Sequence, residues 1–484
     1  MSAGPQSAPP SPDEVTAAAC SVLGAGEAGW LVGGCLRDEL LGLPVRDVDI
    51  VVDGAAEPFS RSLADRLGGA VFASSDDFGT WRVIVAGLHV DVAPLRGDGL
   101  EADLRARDFT VDALARPLDG DELVDPLNGL DDLAARRLRL CSPAALDDDP
   151  LRVIRLARLA RGFGLVPDAA ATEAAFRAAA GLRAVSGERV RDELSAVLAT
   201  SGASLAFRDL AVWDALAVIL PELDGLRGVE QNPYHHLDVF EHTLEALTYV
   251  RGVVEQLGGT RYLTPPDEAG LPGAAPLVPV SWAVLLHDIG KPAARKVDED
   301  GRVLFWHHDE IGREMTTALA ARLKMSNRFL AYLGTLVRQH LRLGFLVRER
   351  PLTRRALARY RRDVSPWVFE SVVVSVCDRL ATRGEMTSLT SMARHYRLAR
   401  STWSTVGKTP VPQLLSGHDV MELLGLEPGA SVGEALDAVE EEVEAGEIST
   451  ADEARAFLLD WWGEREDDAG EGGAGEAPRR DGGD

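Results

Sequence analysis

Two aspartates alternate with apolar residues in a run short enough for a single strand, Asp47-Val-Asp-Ile-Val-Val52. Because residues two apart on a strand point to the same face of the sheet, Asp47 and Asp49 should present paired carboxylates. Asp91 lies in a second apolar run and would add a third carboxylate from a neighbouring strand. Carboxylates this close repel one another unless cations neutralise them. Two Mg²⁺ ions held there would stabilise the attacking hydroxyl and the leaving pyrophosphate of an in-line phosphoryl transfer.

Two glycines stand just upstream, in Leu31-Val-Gly-Gly-Cys-Leu-Arg-Asp38. Glycines directly after a strand let the backbone approach phosphates and let amide groups point at them. An isolated Asp-x-Asp is more often part of a surface strand or a turn. Gly33 and Gly34, with Arg37 beyond them, favour the catalytic interpretation.

The hydrophobic pattern changes once along the chain. Up to about residue 140 it consists of strand-length runs punctuated by Gly and Asp, and from residue 149 the helical period prevails. This predicts an α+β chain with a small sheet in an N-terminal head and an all-α body. The five predicted strands are residues 30–32, 48–52, 70–73, 82–85 and 89–93. The predicted segments are a disordered leader (1–12), the head (13–145), a helical neck and RNA-binding region (146–228), a histidine-bearing helical domain (229–400), a helical tail domain (401–463) and a disordered acidic tail (464–484).

Composition narrows the setting. No stretch approaches the roughly 20 apolar residues that a membrane span needs, so no membrane is expected. The four cysteines have no paired spacing, which favours a reducing cytoplasm. The net charge of −25 is unusual for a nucleic-acid binder. Arginines nevertheless recur every three residues from Arg152 to Arg161, and local patches can steer phosphates better than the global sum predicts.

Several motifs together resemble the bacterial class II tRNA nucleotidyltransferases and poly(A) polymerases. The first family motif, Gly-Gly-x-Val-Arg-Asp and then Asp-x-Asp, stands here as Gly33-Gly34-Cys35-Leu36-Arg37-Asp38 and Asp47-Val48-Asp49. The later motifs match Ala106-Arg107-Asp108-Phe109-Thr110-Val111-Asp112-Ala113, Asp125-Pro-Leu-Asn-Gly129, Asp148-Asp149-Pro150-Leu151-Arg152 and Glu188-Arg189-Val190-Arg191. The resemblance implies a polymerase-β-like nucleotidyltransferase head that uses CTP and ATP, with two Mg²⁺ ions, to extend a tRNA 3′ end. The nucleotide-binding residues that it implies are Gly33, Gly34, Arg37, Asp38, Arg107, Asp108, Asp149, Arg152 and Arg155, and the RNA-binding residues are Arg158, Arg161, Arg189 and Arg191.

The chain departs from the family pattern in three places. Ala106 replaces an Arg, and Asp112 replaces an Asn whose hydrogen bonds to sugar or phosphate are then in question. The connection between the Asp91 strand and the second motif, residues 95–104, is also short. In full CCA-adding enzymes of the family a longer flexible segment stands there. The short form resembles enzymes that add only the two C residues.

The chemistry of Asp149 and Arg152 also suits them to recognise the base of the incoming nucleotide through hydrogen bonds. If their segment is helical, they lie three residues apart on one face. A carboxylate only accepts hydrogen bonds and a guanidinium only donates them. Cytosine and adenine both pair an amino donor with a ring-nitrogen acceptor, whereas uracil and guanine present N–H at that acceptor. An Asp and Arg pair would therefore accept CTP and ATP and reject UTP and GTP. The alternative interpretation of Asp149 and Arg152 is an ion pair at the start of a helix.

Histidines and aspartates recur in order through the second half, and they resemble the ligands of an HD phosphohydrolase domain. Imidazole and carboxylate are natural ligands of a divalent transition metal. The resemblance assigns primary ligands to His242, His287, Asp288 and Asp378, second-site ligands to His308 and His340, and a place near a phosphate to Lys291. This half would either hydrolyse phosphate esters or serve as a structural body.

Two alternative functions stay open at this point. A poly(A) polymerase shares the head motifs but usually carries a basic C-terminal extension, whereas this tail is acidic. An HD phosphohydrolase with a vestigial RNA-binding head would not need the intact Asp47 and Asp49 pair.

Overall fold

The computed structural model describes residues 9–24, 26–45, 47–75, 79–347, 352–404 and 412–471. Two compact units divide the chain. The first is Met1–Gly225 with Arg322–Lys324, and the second is Leu226–Ala321 with Met325–Asp484.

A mixed sheet forms the centre of the first unit. Its strands, in the spatial order β3-β4-β5-β2-β1-β6, are antiparallel except for the parallel pair of β2 and β5. The strands are β1 Gly29–Val32, β2 Asp47–Val52, β3 Ala70–Ser75, β4 Thr80–Val85, β5 Leu88–Pro94 and β6 Ala115–Pro117. All five predicted strands are confirmed, with slightly wider bounds. The sheet's sixth strand, β6, was not foreseen because it is only three residues long.

Helices surround this sheet and continue into the neck. They are α1 Pro12–Val22, α2 Gly34–Leu40, α3 Ala56–Leu67, α4 Leu100–Arg105, α5 Gly129–Ala134, α6 Ala145–Asp148, α7 Arg152–Phe163, α8 Ala169–Ala178, α9 Gly187–Leu198, α10 Ala203–Val212, α11 Leu216–Ile219 and α12 Pro221–Asp224. A short parallel pair, β7 Arg137–Leu138 and β8 Val166–Pro167, joins the head to the neck.

Successive side chains of β2 point to opposite faces of the sheet, one towards the hydrophobic core and the other towards the carboxylates. Val48, Ile50 and Val52 belong to the cluster that includes residues of α1 and α3. The odd-numbered positions point the other way, where Val51 packs with Leu104. Asp47 and Asp49 share that second face, so the same strand supplies a core on one side and carboxylates on the other.

The second unit is almost wholly helical. Its helices are α13 Val239–Leu257, α14 Pro266–Ala269, α15 Val278–Leu286, α16 Lys291–Ala294, α17 His308–Arg322, α18 Asn327–Gln339, α19 Arg342–Leu346, α20 Arg354–Val364, α21 Val368–Ala381, α22 Leu389–Ser404, α23 Gly417–Leu424, α24 Ala430–Ala445 and α25 Ala451–Glu471. A small hairpin, β9 Lys296–Val297 and β10 Val303–Leu304, precedes α17. The α+β head and all-α body are as predicted.

The chain ends differ from the prediction where they are described. Ser11 caps α1 through a capping box with Glu14, so residues 9–12 are part of an ordered helix start. α25 runs to Glu471, and residues 464–471 are therefore helical rather than disordered. Residues 1–8 and 472–484 of the predicted leader and tail lie outside the described residues.

Gly129 shows why the third motif contains a glycine. Asp125 accepts hydrogen bonds from the amides of Gly129 and Leu130 at 2.8 and 2.9 Å, and so caps α5. A Cβ on Gly129 would lie 2.1 Å from the carbonyl oxygen of Thr110. We expect Gly129→Ala to destabilise the head by at least about 2 kcal/mol, because the backbone of residue 110 must move. Calorimetric unfolding measures the loss.

Gly120 provides the matched control in the same head. A Cβ there meets nothing nearer than 3.7 Å. Gly120→Ala should stay within about 0.5 kcal/mol of the wild type. Equal stability of the two variants would contradict the steric argument.

Candidate functional site

Three carboxylates lie together on the sheet. Strands β2 and β5 run parallel with Asp49 in register with Asp91, and Asp47 in register with His89. In-register residues on neighbouring strands point to the same face, so the side chains of Asp49 and Asp91 are neighbours. The three predicted catalytic aspartates therefore share one face.

Burial and mutual repulsion perturb this cluster. Burial, together with the charges of Asp91 and Asp47, raises the pKa of Asp49 to about 6, although Arg107 opposes the shift. An ionised Asp49 is thus destabilised until positive charge is brought to it. Carboxylate oxygens with this need are suited to a divalent cation, and the identity of the ion stays a prediction.

Gly33 brings Arg107 against this cluster. Its backbone has φ +77°, which favours glycine, and a Cβ there would lie 2.9 Å from Nη1 of Arg107 and 3.3 Å from Oδ2 of Asp49. Asp103 in turn accepts two hydrogen bonds from Arg107, from Nε at 3.2 Å and from Nη2 at 3.1 Å. The glycine of the first motif therefore provides room for an arginine beside Asp49.

Arg82 is a site residue that the sequence did not reveal. Its Nε and Nη2 each donate to Asp91 at 2.7 Å, forming a bidentate pair. The two residues are direct partners across β4 and β5, which are joined at Ala86 and Gly87 with positive φ at both. A two-residue hairpin at Ala86-Gly87 would have fixed this register, and that was the signal available in the sequence.

Arg37 and Asp112 explain one departure from the family pattern. Nη1 of Arg37 donates to Asp112 at 2.6 Å, and Nε and Nη2 donate to Asp38 at 2.9 and 2.7 Å. Arg37 is buried, and its guanidinium lies 4.1 Å from the ring centre of Phe163. Asp112 is a carboxylate that this buried arginine neutralises. Arg37, Asp38 and Asp112 thus form one hydrogen-bonded charge network, and the role of Arg37 and Asp38 in nucleotide binding stays a prediction.

A charge network joins the second motif to the neck helices. Arg155 donates to Asp108 at 2.7 Å and lies 3.8 Å from Glu193, which accepts from Arg158 at 2.5 Å. Burial opposes ionisation of Asp108, but Arg155, Arg152 and hydrogen bonds lower its pKa to about 2. Asp108 is therefore firmly anionic, and α7 and α9 are held to the head by alternating charges.

The arginines predicted to bind RNA all have protein partners. Arg158 pairs with Glu193, and Arg161 pairs with Asp209 through two hydrogen bonds. Arg189 donates to Asp149 at 2.7 Å, and Arg191 donates to Asp192 at 2.8 Å. These pairs fix the neck helices, and their role in RNA binding stays a prediction.

The helical interpretation of Asp149 is wrong. Asp149 has φ −143° and ψ 97°, which is extended backbone, and α7 begins only at Arg152. The physical reason is Pro150, which disfavours helical backbone in the residue before it. Asp149 and Arg152 are consequently not neighbours on one helix face. Arg152 donates to the carbonyl oxygens of Ala145 and Ala106 at 3.0 and 3.1 Å.

In the second unit, the six predicted metal ligands converge. Nε2 of His242 lies 3.1 Å from Asp378 and 3.5 Å from Asp288, and Nε2 of His287 lies 3.1 Å from Asp288. On the other oxygen of Asp288, Nε2 of His308 lies at 3.4 Å and Nε2 of His340 at 3.7 Å. Asp288 therefore connects a group with His242 and His287 to a group with His308 and His340, each with its ligand atoms within 4.8 Å.

Backbone carbonyls fix the tautomers of these histidines. Nδ1 of His287, His308 and His340 each donates at 2.7 Å to the carbonyl three residues earlier. A carbonyl only accepts, so in the neutral rings Nε2 carries the lone pair. The Nε2 atoms of His308 and His340 face each other at 3.3 Å. Two lone pairs that face each other in a buried site call for a cation.

The charges around the two histidine groups also indicate a cation site. Burial alone would lower the pKa of His287, but Asp288 and Asp378 raise it. Burial together with neighbouring histidines lowers the pKa of His340 to about 3. Lys291 lies 2.7 Å from Asp288 and donates to Gln231 at 2.7 Å, so its ammonium borders the cluster. Nitrogen and oxygen donors in this mixture suit a divalent transition metal.

Three known domain families match successive segments of the chain. Residues 29–139 match the poly(A) polymerase head domain, residues 169–226 match a probable RNA- and SrmB-binding site of polymerase A, and residues 239–383 match the HD domain. An A-adding tRNA nucleotidyltransferase of Deinococcus radiodurans is 38% identical over 89% of this chain and 95% of its own. A CC-adding tRNA nucleotidyltransferase of Thermus thermophilus is 36% identical over 90% of this chain and 94% of its own.

Solved structures share the fold. The CCA-adding enzyme of Bacillus stearothermophilus in complex with CTP is 24% identical, with a TM-score of 0.61, over 92% of this chain and 95% of that one. The Thermotoga maritima CCA-adding enzyme complexed with tRNA is 20% identical, with a TM-score of 0.56, over 93% of this chain and 94% of that one.

None of the helices in the described part of the chain combines the length and apolarity of a membrane span.

Proposed function

Since the chain belongs to the tRNA nucleotidyltransferase family, we propose that it adds CMP, AMP or both from CTP and ATP to the 3′ end of a tRNA. The observation that supports this most is the row of carboxylates formed by Asp49 and Asp91 in register on parallel strands, with Asp47 beside them. The relatives' functions make a poly(A) polymerase or a vestigial head the weaker alternatives. A cytoplasmic setting fits this proposal.

The head residues divide the catalytic work among them. Asp47, Asp49 and Asp91 would hold Mg²⁺, which when bound neutralises the triphosphate and activates the 3′-hydroxyl. Arg82 orients Asp91 through its bidentate pair, and Arg107 offsets the charge of Asp49. Gly33 leaves room for Arg107 beside Asp49. The firmly anionic Asp108 holds Arg155 in place on α7.

Asp149 and Arg152 are proposed to read the base despite their different backbone settings. Asp149 lies in extended backbone and is held by Arg189, while Arg152 starts α7 and lies against carbonyl oxygens. Each side chain is already held by a hydrogen bond within the protein, which limits the conformational entropy lost when a base binds. An acceptor and a donor fixed in this way complement the edge shared by cytosine and adenine.

We expect Arg152→Ala to relax base choice. The ratio of kcat/KM for CTP to that for UTP should fall by at least about tenfold, because a lost hydrogen-bonding partner no longer rejects the wrong edge. Competition assays with truncated tRNA measure the ratio, and titration with Mg²⁺ serves as a second readout. Arg136→Ala, which removes a surface arginine bonded to the carbonyl of Phe163, is the control. An unchanged CTP/UTP ratio would refute the role.

The number of nucleotides added is the finer question. Only residues 95–99 separate β5 from α4, and by resemblance so short a connection favours addition of the two C residues alone. The experiment uses three tRNAs that end before the CCA, after one C and after both Cs, each with CTP, ATP or both. Addition of C to the first two and none to the third identifies a CC-adding enzyme. Addition to the third alone identifies an A-adding one.

A second activity is proposed for the HD site. In the buried group around Asp288 four imidazoles and two carboxylates converge, and the ammonium of Lys291 lies 2.7 Å from Asp288. A metal bound there would supply an activated water, while Lys291 would bind the phosphate. The substrate class is a phosphomonoester or a 2′,3′-cyclic phosphate at an RNA end. A metal-supplemented phosphatase assay that compares His287→Ala with the wild type tests it.

A further inference from the structure

Helix α22 carries a stripe of arginines on its exposed face. Arg394, Arg397 and Arg400 recur every three residues on Leu389–Ser404, and all three are exposed. The helix contains no aspartate or glutamate. Across the described residues, no carboxylate comes within salt-bridge distance of any of the three. Among the described residues, the one side-chain hydrogen bond of these arginines runs from Nε of Arg397 to the carbonyl oxygen of Ala393, at 3.3 Å.

The opposite face of α22 fixes the stripe in place. His395, Ala399 and Thr402 are buried, and Nε2 of His395 lies 3.1 Å from the hydroxyl of Ser375 on α21. Trp403 packs edge-on against Phe369 of α21, with ring centres 4.9 Å apart. The helix cannot rotate without breaking these contacts, so the arginines are presented on a rigid element.

The positive charge of the stripe contrasts with the net charge of the chain. The whole chain has a net charge of −25, which repels polyanions at long range. The neck arginines that the sequence indicated as RNA contacts are neutralised by acidic partners such as Glu193 and Asp209. Three arginines on a helix without acidic residues form a local patch of positive charge, which attracts phosphates.

We propose that Arg394, Arg397 and Arg400 bind the phosphate backbone of the tRNA body. The inference rests on the proposed function for the identity of the RNA. The three arginines are spaced three residues apart, so they span about 9 Å along the helix axis. A cluster of this size can contact neighbouring phosphates of a strand and offers no base-specific partner. The stripe therefore adds affinity for tRNA without selecting its sequence.

The test replaces all three arginines by glutamine and measures the Kd for tRNA as a function of salt. We expect the Kd at low salt to rise by about tenfold or more, and the slope of log K against log salt to fall by about 2 to 3. The KM for tRNA should rise much more than kcat falls. The triple Arg→Lys variant, which keeps the charge, should stay close to wild type.

A charge-matched control removes three exposed arginines elsewhere in the same unit, namely Arg251, Arg313 and Arg328. Binding and salt slope of the stripe variant equal to those of this control would overturn the inference and leave the stripe as a surface for an acidic protein. Wild-type protein that binds no tRNA would overturn both this inference and the proposed function. Nucleotide addition by the wild type together with unchanged binding by the stripe variant would overturn this inference alone.

Discussion

Asp49→Asn is expected to lower nucleotide addition by at least about 10³-fold, because the substitution removes a carboxylate that would hold the catalytic cation. The same change should stabilise the metal-free protein. The pKa of Asp49 in the folded chain is about 6, above the ordinary 3.8. The ionised form therefore costs stability at pH 8, by at most about 3 kcal/mol, and an amide does not.

The sign of this effect can be checked against pH. A folded pKa above the unfolded one means that the penalty is fully present above pH 6 and disappears as the pH falls below 3.8. The gain in thermal midpoint of Asp49→Asn should shrink along the same range. Mg²⁺ should stabilise the wild type and not the variant. Asp53→Asn, an exposed change just beyond β2, is the control, and equal behaviour of the two variants would contradict the assignment.

Asp288→Ala is expected to empty the HD site of metal. Asp288 is shared by the ligand group of His242 and His287 and the group of His308 and His340. Its removal takes an oxygen from both, and metal affinity should fall by at least about 100-fold. Elemental analysis after reconstitution with Mn²⁺ or Co²⁺ measures the metal content. Any phosphatase activity should be lost with the metal.

Two further variants make this prediction specific. His308→Ala removes a ligand from one group only, so binding at the His242 and His287 group should persist. His307→Ala removes the exposed neighbour, whose ring lies 3.1 Å from Glu310, and should retain wild-type metal content. Full metal content in Asp288→Ala would show that the two groups do not share this carboxylate.

The sequence predicted the sheet well because its strands carry a clear alternation. The Asp-x-Asp pattern placed two carboxylates on one face of β2, and Asp91 lies in register with Asp49. The metal ligands of the second half were also predicted, because the histidines and aspartates occur in the order typical of HD domains even though they lie on different helices. What brought His242, His308 and His340 to Asp288 was helix packing, which the sequence does not encode locally.

Other features depended on contacts that local patterns do not report. Arg82 gained its role from the register of one hairpin, and Glu193 gained its role from the packing of α9 on α7. The arginines of the neck were predicted to bind RNA because their spacing places them on one helix face. The spacing does not show that acidic residues from other elements pair with them. The extended backbone of Asp149 follows from Pro150, the next residue, and is therefore encoded locally.

The most direct test of the account incubates the wild-type protein with a tRNA that ends before the CCA, together with Mg²⁺, CTP and ATP, and sequences the 3′ ends. A parallel reaction with a tRNA that already ends in CC covers addition of the final A. We predict C, A or both at the expected positions, with none from Asp49→Ala. Unextended ends with both tRNAs, or extension that survives Asp49→Ala, would contradict it.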